Sequence, residues 1–174
     1  MDNTNNSCCC GETEHFSGCL ICGAPVTYSV ESSVKTCSIC HKEQLTNTVC
    51  ENGHFVCDAC HSYGTYIPVS TALRSSTEKD PLLLLEEIMD LPSVHMHGPE
   101  HHAIVPSVLL TALRNNGERM NYDTALSEIC KRAKQVPGGT CGYWGVCGAA
   151  AGAGIFMSVM TGSGPLHKLS LIHI

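Results

Sequence analysis

The chain has 174 residues, 13 of them cysteine and 10 histidine, with a formal net charge of −6. That length allows one domain or two small ones. The acidic balance disfavours nucleic acid as a partner, because phosphate neutralisation supplies most of the affinity such proteins have.

Met1 to Glu14 is polar and reads as a disordered tail, 1–14, that carries Cys8, Cys9 and Cys10. Adjacent cysteines are poorly placed to chelate one ion together. Incidental thiols on an exposed tail are the plain reading. An entry point for metal or sulfur, or a redox-labile patch, is the sharper one. Met1 to Asn6 has no apolar core segment of a secretory leader, which predicts a cytoplasmic protein with reduced thiols.

Residues 15–62 read as a double zinc-binding module. Four chelating pairs lie within it: Cys19/Cys22, Cys37/Cys40, Cys50/His54 and Cys57/Cys60. A Cys-x-x-Cys turn aims two thiolates at one point about 2.3 Å from each sulfur, as zinc requires. Eight soft ligands in pairs suit two tetrahedral ions. Two arrangements fit. In the interleaved one, Cys19, Cys22, Cys50 and His54 share one ion, and Cys37, Cys40, Cys57 and Cys60 the other. In the sequential one, the first four ligands form one site and the last four the second. The interleaved version is favoured, because Phe55 to Ser62 looks like a helix start facing a knuckle at Cys37, a treble-clef-like arrangement. Disulfides and iron–sulfur ligation are the competing readings, and His54 favours zinc over iron–sulfur. His41 and His61 each follow a ligand directly and read as hydrogen-bonding support rather than as ligands.

Residues 63–78 read as a linker that begins extended at Tyr66-Ile-Pro-Val-Ser. A helical domain over 79–164 follows. Asp80 caps its first helix, with Pro81 at the first helical position. Four consecutive leucines, Leu82 to Leu85, predict a helix covered on most sides. Next come His95, His97, Glu100, His101 and His102, with a chain break at Gly98-Pro99. Imidazoles and a carboxylate converging there suit zinc, iron or nickel, and histidine is the usual acid–base group near neutral pH. The bland alternative is a polar helix start with satisfied histidines. Ala103 to Leu113 continues as a helix with a kink expected at Pro106. Tyr122 to Gln135 reads as an amphipathic helix, with Cys130 a buried small hydrophobe.

A glycine-rich loop with Cys141 and Cys147 then runs into a small-residue helix. It lacks the ending of a phosphate loop, so nucleotide binding is rejected. The apolar run from Val146 to Met160 is short and glycine-rich for a membrane span. Glycines at four-residue spacing predict a buried helix against the histidine-bearing one, which would bring Cys141 or Cys147 near His95 to His102. Cys141, Cys147 and His101 are the candidate catalytic groups. Residues 165–174 read as a non-native tail of the kind left by adapter read-through, so the natural chain is expected to continue past Pro165, and His167 and His173 receive no role.

The motifs CSICH, CENGHFVCDACH, VHMHGPEHH and PGGTCGYWGVCGAAAGAG resemble an uncharacterised Cys/His-rich domain-of-unknown-function family of anaerobic archaea and bacteria, over most of residues 19–160. Cys147 to Gly152 is similar, more loosely, to redox-active C-GCAxxG-C-C proteins, of whose motif only the CGAxxG part is present here, the partner cysteines being absent or beyond the expected C-terminal truncation. The first resemblance implies a partner enzyme of the radical-SAM or methyltransferase type.

The expected fold class is α+β, mostly α: a small treble-clef-like, mostly irregular zinc module, then an α-helical domain, truncated at its C-terminus. The expected protein binds two zinc ions structurally. Its helical domain would hold a second metal or an iron–sulfur cluster for redox, sulfur or methyl-group chemistry. The alternative is a non-enzymatic adaptor that docks a partner enzyme through its zinc module. No nucleic acid and no membrane is expected as partner. A ubiquitin-ligase-type or DNA-binding finger is the weakest reading, given the charge and the position of the Cys/His pair.

Overall fold

A computed structural model describes residues 18–95 and 98–164. Cys8, Cys9, Cys10, His97 and the 165–174 tail lie outside them. The fold class is α+β, mostly α. Two strands, β1 (Val26–Thr36) and β2 (Glu43–Cys50), are followed by α1 (Asp58–Ser75), α2 (Pro81–Met89), α3 (His101–Asn115), α4 (Tyr122–Ala133), α5 (Thr140–Trp144) and α6 (Gly148–Met160).

The strands form an antiparallel ribbon that pairs Val26 with Cys50 at one end and Thr36 with Glu43 at the other. Register slips between Tyr28 and Ser33, leaving a bulge. The module is therefore more regular than the mostly irregular fold expected of it. The ribbon buries almost nothing: Tyr28, Val30, Val34 and Leu45 are all exposed. A two-stranded ribbon is marginal in water, so something at its ends must hold it.

The stretch 63–78 is not an extended linker. Helix α1 runs through it, with Pro68 inside. Proline removes one helical hydrogen bond and disfavours the helix interior, which is why the sequence suggested a break. Burial overrides it. Ser62, Thr65, Val69 and Leu73 fall on one face of α1 and are buried. Off that face the hydroxyls look after themselves, Ser70 and Thr71 both donating back to Ile67 O.

Helix α3 is the centre of the helical part. Its Ile104, Val108 and Ala112 join Val69 and Leu73 of α1, Leu84 and Ile88 of α2, and Val94 in one core. Its Leu110 meets Leu126 and Ile129 of α4, with Ile155, Phe156 and Val159 of α6 against them. Asp80 caps α2, its carboxylate accepting from Leu82 N at 2.8 Å. The leucine run is covered on one side only: Leu84 is buried, while Leu82 and Leu83 are exposed. At the C-terminus of α3, Arg114 donates to Leu73 O and Ser76 O, and Asn115 to Ser76 O and Glu78 O. Those bonds tie down the turn between α1 and α2.

Helix α6 lies against α3 through glycine. A Cβ at Gly152 would sit 2.8 Å from Pro106 Cδ, and one at Gly148 would sit 2.7 Å from His102 Cδ2. Only glycine permits that approach. No helix among the described residues is long and apolar enough to cross a membrane.

Leu84 is fully buried where α1, α2 and α3 meet. Leu84→Ala is expected to cost about 2–5 kcal/mol in urea unfolding followed by circular dichroism. Bound metal per folded chain should stay unchanged.

Candidate metal centres

The eight paired ligands gather into two groups, Cys19, Cys22, Cys50 and His54 in one and Cys37, Cys40, Cys57 and Cys60 in the other. The pairs are thus interleaved rather than sequential. Within each group the ligand atoms lie within 4.8 Å of one another.

Local backbone geometry aims each pair. Cys19 N–H donates to Ala24 O at 2.9 Å, and Gly23 N–H to Cys19 O at 2.7 Å, closing a tight turn. Gly18 enters that turn at φ +94°, and a Cβ there would meet Gly23 O at 2.7 Å. Cys50 N–H bonds His54 O at 3.0 Å, so the end of β2 folds His54 back onto Cys50. The Cys37 knuckle docks on the segment before α1 through Ser38 N–H to Phe55 O at 2.8 Å. Cys57 is the N-cap of α1 and Cys60 lies in its first turn.

Distances decide between metal and disulfide. A zinc ion with arms of about 2.3 Å to sulfur sets sulfur–sulfur edges of about 3.8 Å and sulfur–nitrogen edges of about 3.5 Å. Cys22 Sγ lies 3.8 Å from Cys50 Sγ, and Cys40 Sγ 3.7 Å from Cys57 Sγ. His54 Nδ1 is 3.6 Å from Cys50 Sγ and 3.3 Å from Cys22 Sγ. A disulfide needs about 2.05 Å, and every described cysteine is free. Backbone N–H groups point at the sulfurs, Ile21 and Ile39 at Cys19 and Cys37, His54 at Cys50, and Cys57 at Cys37.

The thiols titrate unequally. The Asn52 amide beside Cys22, helped by Ala24 and His54, lowers it to about 6. Burial raises Cys37, but the N–H groups of Cys57, Cys40 and Ile39 outweigh it and leave it at about 6. Burial, then the neighbouring thiols of Cys57, Cys40 and Cys37, push Cys60 up to about 12. Cys50 and Cys57 are also raised, first by burial. Crowded thiols cannot all ionise unless a cation offsets their charge.

The histidine run behaves differently from expectation. His95 and Glu100 come together, with His95 Nδ1 2.8 Å from Glu100 Oε1. The third member is His61 of α1, whose Nδ1 lies 3.4 Å from Glu100 Oε2. These three form a further group that can hold a metal ion. His101 turns away and donates from Nε2 to His95 O at 2.8 Å. His102 is buried beside Gly148, and burial lowers its pKa. Burial raises Glu100, but His61, its own backbone N–H and His95 outweigh that and hold it at about 2. His61 was passed over in the sequence because its neighbours were the zinc ligands. Its spacing of four from Cys57 and from Thr65 was the available signal, since that places it on the inward face of α1.

Cys141 and Cys147 are exposed and join none of the groups among the described residues. Cys147 precedes α6, and the N–H groups of Ala150 and Ala149 lower its pKa. Its neighbour Gly148 packs close to His102, where a Cβ would come 2.7 Å from His102 Cδ2. Cys130 is half-buried, its thiol raised by burial.

Gly98 lies against the buried carboxylate: a Cβ there would come 2.2 Å from Glu100 Oε2. Gly98→Ala is expected to displace Glu100 and cost about 1–3 kcal/mol. Thermal unfolding reads the cost. Loss of the His95–Glu100 contact should show as a shift of the His95 ring signals in NMR, with the Cys-ligated sites unchanged.

No curated protein and no solved structure matched the chain. A family model, described as a family of unknown function (DUF5714), matches residues 69–172. That span contains His95, Glu100 and the helices around them, extends into the 165–174 stretch, and begins after His61 and the eight paired ligands. Since the match covers more than half of the chain, the protein belongs to this family of unknown function.

Proposed function

We propose that the chain is a zinc-dependent metalloprotein. Two ions fold residues 19–61, and that module, through α1, builds the buried imidazole–carboxylate cluster at the edge of the helical part, where the protein's chemistry takes place. The carrying observation is the pair of interleaved ligand groups, with sulfur–sulfur separations of 3.8 and 3.7 Å. Zinc is the ion because seven thiolates and one imidazole in tetrahedral spacing suit it best. Redox, sulfur or methyl-group chemistry would be served by Cys147, whose thiolate is favoured at the start of α6.

A second reading is favoured by one feature, the exposed Tyr28, Val30, Val34 and Leu45 of the ribbon. In that reading the module is an adaptor that presents this face to a partner enzyme, of the radical-SAM or methyltransferase type that the resemblance implies.

Metal removal tests the structural role. The purified chain is expected to carry zinc in both Cys-ligated sites, and chelation to unfold residues 19–61, read as loss of amide protection in hydrogen exchange. Cys57→Ser should lose the second ion and loosen α1 as well. Because zinc uptake displaces thiol protons, affinity should fall as pH drops. Retention of protection after complete chelation would overturn the proposal.

A further inference from the structure

We propose that His61, His95 and Glu100 hold a third metal ion, a divalent transition metal with open coordination positions. This deepens the reading above and rests on it in one respect: His61 is placed by the helix whose first turn carries Cys57 and Cys60.

Two parts of the chain contribute, α1 and the connection between α2 and α3. His61 comes from α1, His95 from the loop after α2, and Glu100 from the turn that starts α3. Their ligand atoms lie within 4.8 Å of one another. Coordination arms of about 2.1 Å set edges of roughly 3.0 Å in an octahedron and 3.4 Å in a tetrahedron. The nitrogen–oxygen separations of 2.8 and 3.4 Å lie close to those edges.

The competing reading is a metal-free charge cluster, with imidazolium neutralising the carboxylate. It fails to account for two atoms. Glu100 has no exposed surface, yet its Oε2 makes no hydrogen bond among the described residues, and neither does His61 Nδ1. The two atoms face each other at 3.4 Å without hydrogen-bonding geometry. An unpartnered buried carboxylate oxygen is costly, and a bound ion removes that cost.

The surroundings are those of a held ligand set. His101 Nε2–H fixes His95 through its carbonyl at 2.8 Å. Thr65 Oγ1 donates to Ser93 O at 2.6 Å, anchoring the same loop on α1. Gly98 leaves the space that the carboxylate occupies. Such supports orient metal ligands in known sites. Two imidazoles and one carboxylate suit iron(II) or zinc, and suit neither calcium nor an iron–sulfur cluster. Three protein ligands leave positions for water or substrate. Glu100 also lines an apolar cavity of about 30 Å³ between α1, α3 and α4, large enough for a water-sized molecule.

Anaerobic reconstitution with cobalt(II) separates this site from the thiolate ones. Thiolate-to-cobalt charge-transfer bands report the two Cys-ligated sites. A site of nitrogen and oxygen ligands gives none, so total cobalt per chain must be counted beside the bands. The wild-type chain is expected to bind three ions. Glu100→Gln and His95→Ala should each lose one, with the bands intact. Two ions in the wild type with intact bands would overturn the third site and leave the zinc module standing. Absent bands, with one ion still bound and lost in Glu100→Gln, would overturn the module and keep the third site. Parallel loading with iron(II) and zinc decides which metal the site retains on gel filtration.

Discussion

On the proposed reading, tetrahedral metal coordination by the two Cys-rich groups is the constraint on which the first third of this protein depends. From residue 18 to 57 the buried side chains are Cys19, Cys37, Cys50, Phe55 and Cys57. Only Phe55 is a hydrocarbon. Burying one such ring is worth about 1.5–3 kcal/mol, far short of ordering some forty residues. A structural zinc ion contributes about 10–16 kcal/mol. The proposed ions supply what this interior lacks in hydrocarbon, and the ends of the exposed ribbon run into the two ligand groups.

Helix α1 carries that order onward. Its start supplies Cys57 and Cys60, its first inward turn His61, and its second half Val69 and Leu73 to the core around α3. One rigid element thus shares residues with a sulfur-lined interior and a hydrocarbon one. Asp58 adds a further tie, its carboxylate accepting from Gly138 N at 3.1 Å, and Tyr143 of α5 donates to Ser29 O in the ribbon bulge at 2.8 Å. Glu100 sits where these parts meet, 3.4 Å from His61 Nδ1 of α1 and 2.8 Å from His95 Nδ1 of the loop after α2.

Much of this was legible in the sequence because chelate pairs are local. Cys-x-x-Cys turns and the Asp80-Pro81 helix start are decided by neighbours a few residues apart. So was the close approach of α6 to α3, since Gly148 and Gly152 lie one turn apart. The rest depended on tertiary contacts. Pro68 suggested a break that the buried face of α1 overrode. The leucine run in α2 suggested burial all round, but two of its members face solvent. His61 found its partners far down the chain, and the histidine run that drew attention contributes only His95 and Glu100 to the cluster among the described residues. His101 instead secures the backbone, and His102 fills the contact with α6.

The most direct test of the interleaved, metal-built module is cadmium NMR of the exchanged protein. Scalar couplings from each cadmium to cysteine and histidine protons identify its ligands. One ion is expected to couple to Cys19, Cys22, Cys50 and His54, and the other to Cys37, Cys40, Cys57 and Cys60. A single ion coupled to Cys19, Cys22, Cys37 and Cys40, or a folded module with no cadmium bound, would contradict it.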